Sequence, residues 1–144
     1  MPRVVPLFLS TLMLLVFLSG CSVNPVTGKS EFSLMSAEQE VAIGASNYTP
    51  FQQSQGGRYI IDPEVQAYVS GVGKKLAAVS DRPDLPYEFV GLNNSVPNAW
   101  ALPGGKIAIN RGLLVQLEDE SQLAAVLAHE IVHAAARHSA AQMT

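Results

Sequence analysis

The chain has 144 residues, enough for about one domain. Hydrophobic residues make up 48% of it, charged residues make up 15%, and the formal net charge at pH 7 is -3. The nine lysine and arginine residues are scattered and form no basic run, which excludes the electrostatic footprint of a nucleic-acid-binding protein.

The first twenty residues account for much of the apolar content. Arg3 is their only charged residue, an apolar stretch follows over residues 4–18, and small residues come next. This order is typical of a secretory signal peptide, which we predict over residues 1–20. A transmembrane anchor is the alternative, but the stretch is shorter than the roughly 20 residues that span a bilayer, and Pro6 interrupts it.

Residues 18–21 resemble the lipobox of bacterial lipoproteins, which are cut before the cysteine and lipidated on it. Cys21 is the one cysteine of the chain, so it cannot form an internal disulfide. A free thiol and pairing with another chain are the alternatives, but lipidation fits the position best, and two or more acyl chains would give a stable anchor. Because Ser22 rather than Asp follows, we expect anchoring in the cell envelope, at the outer membrane on its periplasmic side.

Beyond the lipobox, residues 21–35 carry Asn-Pro and Thr-Gly turn pairs with little periodicity and are predicted to form a tether. Residues 36–144 are assigned to one domain. Ser36 and Gln39 form a capping box, and the apolar pattern after them predicts a helix to about Gln53.

A second helix and three strands are predicted next. Asp62 followed by Pro63 is a helix start, and residues 87–92 alternate as a strand does. Residues 98–102 and 106–110 are two more short strands, and the Pro-Gly-Gly between them suggests a tight antiparallel connection. The fold class that follows is α+β, with helices around a small, mainly antiparallel sheet.

The last predicted helix begins near Asp119, where pairing with Gln122 gives a capping signal. It carries the motif HExxH over residues 129–133. Because alanine and larger apolar residues surround the motif, the helix is apolar on most sides, and we expect it to be a buried central element.

The motif predicts a zinc site. Residues four apart share a helix face, so His129 and His133 can aim two imidazole nitrogens at one point. Imidazole suits zinc, and a catalytic zinc ion usually has three protein ligands and a fourth position open to water. Glu130 lies about 100 degrees round the helix from His129, which places it to act as a general base. The alternative is a core helix that must satisfy three polar side chains without a metal.

The residues just after the motif are interpreted differently. On a continuous helix His138 points away from both His129 and His133, so it cannot share their metal. We interpret Arg137 and His138 as positive charge near a helix end, where the helix dipole favours it.

Three stretches, "HEIVHAAARH", "NAWALPGGKIAINRGLL" and the lipobox followed by "NPVTGKSEFSLMSAEQEVAIG", together resemble a known family. They are similar to the zinc metalloendopeptidases related to HtpX and the CAAX prenyl proteases, in the periplasmic lipoprotein branch of BepA and LoiP. The resemblance covers nearly all of residues 21–144. It implies a zincin-like fold with the HExxH helix in the core, one zinc ion on His129 and His133, and Glu130 as the catalytic base.

The resemblance also implies a substrate site and a substrate class. An edge strand would bind an extended polypeptide through backbone hydrogen bonds, and it would be formed by Asn98, Ala99, Trp100, Ala101 and Leu102. The implied substrates are misfolded or unassembled envelope proteins, which makes the implied role protein quality control.

The chain departs from the family at the third zinc ligand. The resemblance implies a glutamate on a downstream helix, but eleven residues follow His133 and none of them is Asp or Glu. We therefore expect this ligand beyond Thr144 and interpret the chain as the N-terminal part of an incomplete domain. The alternative function is a non-catalytic lipoprotein module that binds unfolded protein or metal. The oligomeric state is not predicted.

Overall fold

A computed structural model describes residues 21–33 and 35–142. The predicted signal peptide, residues 1–20, lies outside the described residues, and so does the side chain of Cys21, the predicted lipidation site. Within the described ranges, no helix has the length and apolar character needed to cross a bilayer.

The described residues form five helices and five strands. In chain order these are β1 (Cys21–Val23), β2 (Ser30–Phe32), α1 (Ala37–Ser54), α2 (Pro63–Ala77), β3 (Glu88–Leu92), β4 (Ala99–Leu102), β5 (Lys106–Asn110), α3 (Arg111–Leu114), α4 (Glu120–Ala135) and α5 (His138–Gln142). One turn of 3-10 helix, Pro103–Gly105, joins β4 to β5.

The predicted helix starts are confirmed. At α1 the Ser36 hydroxyl accepts a hydrogen bond from the Gln39 backbone N–H, and the Gln39 side chain accepts one from the Ser36 N–H. At α2 the Asp62 carboxylate accepts a hydrogen bond from the Glu64 N–H, and Pro63 is the first residue of the helix. Each of these bonds satisfies a backbone donor that has no partner within the helix, so local sequence is enough to locate the start.

The main sheet is mixed, so the expectation of a mainly antiparallel sheet is wrong. Its strand order is β3-β5-β4, with β4 antiparallel to β5 as predicted and β3 parallel to β5. Two parallel strands cannot be joined by a tight turn, and here the chain returns from the end of β3 to the start of β5 through β4. The position of β5 between the other two agrees with the burial of all five of its residues.

A second, smaller sheet lies in the segment predicted as a tether. β1 and β2 pair antiparallel around a turn, and the Asn24 side chain accepts hydrogen bonds from two backbone N–H groups of that turn. The same buried side chain donates to the carbonyl oxygen of Ala136 at 3.0 Å. This hairpin is thereby bonded to the end of the motif helix.

The core has two parts, one on each face of the main sheet. On one face, residues of β3 and β5 pack against α2 and α4; the buried members are Val69, Val72, Ala77, Phe89, Ile107, Ile109, Leu123, Leu127 and Ile131. On the other face they pack against α1; the buried members are Tyr48, Val90, Leu92, Leu102 and Ala108. The domain therefore has three layers, with the sheet in the middle.

The Pro-Gly-Gly turn packs unusually close to α1. A Cβ atom built on Gly44 would lie 1.8 Å from the carbonyl oxygen of Pro103, and one on Gly104 would lie 2.7 Å from the Cα of Val41. Gly104 also has a φ of 72°, in the left-handed region that favours glycine. These two glycines let helix and turn meet backbone to backbone.

The motif helix α4 is amphipathic, so the expectation of a buried central element applies to one of its faces only. Leu123, Leu127 and Ile131 lie in the core, whereas His129 is exposed and Val132 is 44% exposed. The buried face follows the three- and four-residue spacing of an ordinary amphipathic helix. The sequence did not reveal this because alanine is tolerated on both the buried and the exposed face of a helix. The motif thus lies at the surface of the described part of the chain.

Candidate functional site

The two histidines of the motif lie side by side one turn apart on α4. Their Nε2 atoms are 3.0 Å apart, and their ring centroids are 4.5 Å apart at an interplanar angle of 78°. The four-residue spacing on a helix produces this arrangement, as predicted. Both Nε2 atoms therefore face one small volume beside the helix.

This pair fits a zinc ion as two of its ligands. With Zn–N bonds of 2.0–2.1 Å, two nitrogens of a tetrahedral site lie about 3.3 Å apart. The observed Nε2 separation of 3.0 Å needs only a small adjustment to reach that value. Within residues 21–33 and 35–142, no group of three His, Cys, Asp or Glu side chains could hold a metal ion.

Glu130 sits between the two histidines in sequence and is partly buried. Burial raises the pKa of its carboxyl group above the ordinary value, and the neighbouring His133 and His129 act in the opposite direction. A partly desolvated carboxylate beside two imidazoles can accept a proton and return it, which is what a general base must do.

The chain after the motif does not continue as a helix, so the expectation that His138 points away from His133 is wrong. Helix α4 ends at Ala135, and Arg137 has a φ of 60°, which turns the chain before α5 begins. As a result the Nδ1 atoms of His138 and His133 lie 2.8 Å apart. His138 contacts the edge of the His133 ring that does not face His129.

Arg137 is also more than a positive charge near a helix end. Its Nε donates to the carboxylate of Glu40 at 3.1 Å, and its guanidinium also donates to the carbonyl oxygen of Met35. Glu40 is completely buried. Its carboxylate also accepts hydrogen bonds from a second arginine, Arg82, whose Nη1 lies 3.0 Å from each carboxylate oxygen. Sequence reasoning missed this cluster because its members are far apart in the chain.

The proposed substrate strand is at an edge of the main sheet. In the register with β5, the Asn110 N–H donates to the carbonyl oxygen of Asn98, so the backbone groups of Ala99 and Ala101 point away from β5. One of these groups already has a partner, because the Ser139 hydroxyl on α5 donates to the carbonyl oxygen of Ala101 at 3.0 Å. Helix α4 packs directly against β4, which places motif and edge strand together.

Asp119 does not belong to the motif site. Its carboxylate accepts a hydrogen bond from the Gln122 N–H and caps the start of α4, as the capping signal predicted. It precedes His129 by ten residues, which is about 15 Å along a helix. Glu118 precedes Asp119 and lies at least as far away, so neither of these two acids reaches the imidazoles of the motif.

Comparison with known proteins identifies similar sequences. A family model described as Peptidase family M48 matches residues 63–144. The mitochondrial metalloendopeptidase OMA1 of Schizosaccharomyces pombe is 37% identical over 117 residues, covering 81% of this chain and 35% of that protein.

The beta-barrel assembly-enhancing protease of Escherichia coli strain K12 is 33% identical over 127 residues, covering 88% of this chain and 26% of that protein. The human mitochondrial metalloendopeptidase OMA1 is 25% identical over 137 residues, covering 90% of this chain and 26% of that protein. The chain therefore spans between about a quarter and a third of the length of these relatives.

Proposed function

The chain belongs to peptidase family M48, and from this premise we propose that it acts as a zinc-dependent metalloendopeptidase of the bacterial cell envelope. In this proposal His129 and His133 are zinc ligands, and Glu130 is the catalytic base. The observation that carries it is the convergence of the two Nε2 atoms, 3.0 Å apart, next to a partly buried carboxylate. We further propose that one zinc ion binds per chain and that its third protein ligand lies outside the described residues.

In this proposal the metal and the side chains have different roles in peptide hydrolysis. A zinc ion bound there would supply Lewis acidity, which polarises a carbonyl group and makes water acidic near neutral pH. The Glu130 carboxylate takes the proton of the attacking water and later gives a proton to the departing amine. His129 and His133, on the same face of a rigid helix, fix where this happens relative to Glu130.

The substrate in this proposal is an extended polypeptide that adds a strand to β4. Ala99 and Ala101 present outward-facing backbone groups for it, within the segment Asn98 to Leu102. Recognition through backbone groups gives modest sequence preference, which suits an enzyme that acts on many unfolded chains. A peptide methylated on alternate backbone nitrogens tests strand addition to β4. It can no longer donate those backbone hydrogen bonds to the edge strand, while its side chains stay the same.

We propose misfolded or unassembled envelope proteins as the substrate class. The name of the Escherichia coli relative refers to β-barrel assembly, and membrane β-barrels are outer-membrane structures. The lipobox-like residues before Cys21 support an anchor in the same compartment. In this proposal residues 1–20 are removed, and residues 36–144 belong to a zincin-like domain that residues 21–35 connect to the membrane.

Zinc content and casein cleavage, measured on the same preparations, test the function. We expect the wild-type protein to bind zinc and cleave casein, and Glu130→Gln to keep the zinc and lose cleavage, because the amide cannot accept a proton. Asp119→Asn is the matched control, since Asp119 caps the same helix about 15 Å from the motif.

Two results would count against the proposal. Cleavage that survives Glu130→Gln would show that Glu130 is not the catalytic base. Equal binding of unfolded protein by all variants, with cleavage by none, would favour the alternative of a non-catalytic lipoprotein module.

A further inference from the structure

The three histidines form a continuous row in which His133 is central. Its Nε2 lies 3.0 Å from the Nε2 of His129, and its Nδ1 lies 2.8 Å from the Nδ1 of His138. Both distances are those of hydrogen bonds. His138 therefore contacts the one ring nitrogen of His133 that the proposed zinc site does not use.

We propose that His138 is a positioning residue, whose Nδ1 accepts a hydrogen bond from the protonated Nδ1 of His133 and so keeps the Nε2 of His133 free to bind metal. The proposal rests on the proposed function, because His133 is a zinc ligand in it. A neutral imidazole carries one ring proton, so a proton held on Nδ1 leaves Nε2 as the acceptor. Metal-binding histidines generally donate their other ring N–H to such a partner, which fixes the tautomer and the orientation of the ring.

The chain has to turn sharply to deliver this partner. His138 is five residues after His133, a spacing that on a continuous helix would place the two on different faces. The left-handed Arg137, with a φ of 60°, ends the helix and brings His138 back against His133. For a residue other than glycine this conformation is unfavourable and needs support from elsewhere.

Distant residues supply that support. The Arg137 guanidinium is bonded to the buried carboxylate of Glu40 and to the carbonyl oxygen of Met35, both at the start of α1. The Asn24 side chain bonds the carbonyl oxygen of Ala136, the residue before the turn. The turn that presents His138 is thus held from two sides by segments that precede the motif by about a hundred residues.

Two variants separate hydrogen bonding by His138 from its packing. His138→Asn keeps an acceptor oxygen close to the place of Nδ1, whereas His138→Leu has a similar size and no acceptor. The first measurement is the tautomer of His133 in the zinc-free chain, read from nitrogen-proton correlation spectra of the imidazole. We expect the proton on Nδ1 in the unchanged chain and in His138→Asn, and a mixture of both tautomers in His138→Leu.

The second measurement is zinc affinity by competition with a chelator. We expect His138→Leu to weaken zinc binding by about tenfold or more, and His138→Asn to stay within about threefold of the unchanged chain. Equal weakening by both variants would show a packing role and overturn the inference, as would an unchanged His133 tautomer in His138→Leu. Failure of the unchanged chain to bind zinc would instead count against the proposed function, because the tautomer is read without metal.

Discussion

Glu40 and Arg137 are joined by a hydrogen bond of 3.1 Å across 97 residues of sequence, and the carboxylate that accepts it is completely buried. Glu40 lies in the first turn of α1, and Arg137 lies two residues after the end of the motif helix. Together with Arg82, which bonds the same carboxylate, the pair connects α1 to the end of the candidate active site.

Glu40→Gln is expected to destabilise the chain by about 3 kcal/mol or more. The substitution keeps the shape of the side chain but leaves two arginines facing a neutral amide in a mostly buried place, and breaking a buried ion pair from one side has this cost. Urea denaturation measures the free energy of unfolding. Glu118→Gln, at an exposed position, is the control and is expected to change it by less than about 0.5 kcal/mol. Equal effects at the two positions would contradict the role given to Glu40.

Gly44→Ala is expected to destabilise the chain by about 1–3 kcal/mol, because the new methyl group would collide with the backbone of Pro103. Gly71→Ala is the matched control within a helix, since a Cβ atom there meets nothing within 4 Å. It is expected to stabilise by about 0.5–1 kcal/mol, the difference in helix propensity. Thermal unfolding of both variants checks the pair, and a stabilised Gly44→Ala would refute the close contact between α1 and the turn.

Zinc is expected to raise the thermal unfolding midpoint of the unchanged chain and to leave that of His129→Ala nearly unaffected. A ligand that binds only the folded state adds about 2.7 kcal/mol when its free concentration is a hundred times its Kd. Removing one of the two histidine ligands takes most of this gain away. Scanning calorimetry with zinc, and again after chelation, measures it. The same zinc response in His129→Ala would place the metal elsewhere.

Ser139→Ala is expected to lower the KM for an extended peptide substrate while kcat changes little. The Ser139 hydroxyl occupies the Ala101 carbonyl oxygen, which a docking strand would otherwise use. Removing it frees an acceptor on the edge of β4, and one hydrogen bond is worth about 1 kcal/mol, or about fivefold in affinity. Ser121→Ala, on the exposed start of α4, serves as the control. A raised KM in Ser139→Ala would mean that the contact assists docking instead of competing with it.

The parts of the fold that could be predicted are those fixed by neighbouring residues. The helix starts at Ser36, Asp62 and Asp119 each use a side chain to bond a backbone N–H two or three residues on. The β4–β5 pair is joined by three residues, so its antiparallel direction is also local information. The parallel pairing of β3 with β5 is not, because β4 lies between them in sequence and on the far side of β5 in space.

The candidate site, too, could be predicted only where it depends on neighbouring residues. His129 and His133 share a helix turn, so their proximity follows from the spacing alone. The place of His138 depends on the backbone conformation of Arg137, which Glu40 and Met35 hold from the other end of the chain. The surface position of the motif was also missed, since alanines in α4 do not reveal which face meets the core.

X-ray absorption at the zinc edge of the zinc-loaded protein counts the imidazoles on the metal, and so decides whether the HExxH helix binds it. We expect two imidazole nitrogens at about 2.0–2.1 Å, one fewer in His129→Ala and in His133→Ala, and two in His138→Leu. A spectrum that is unchanged by His129→Ala and His133→Ala would contradict a zinc site on the HExxH helix.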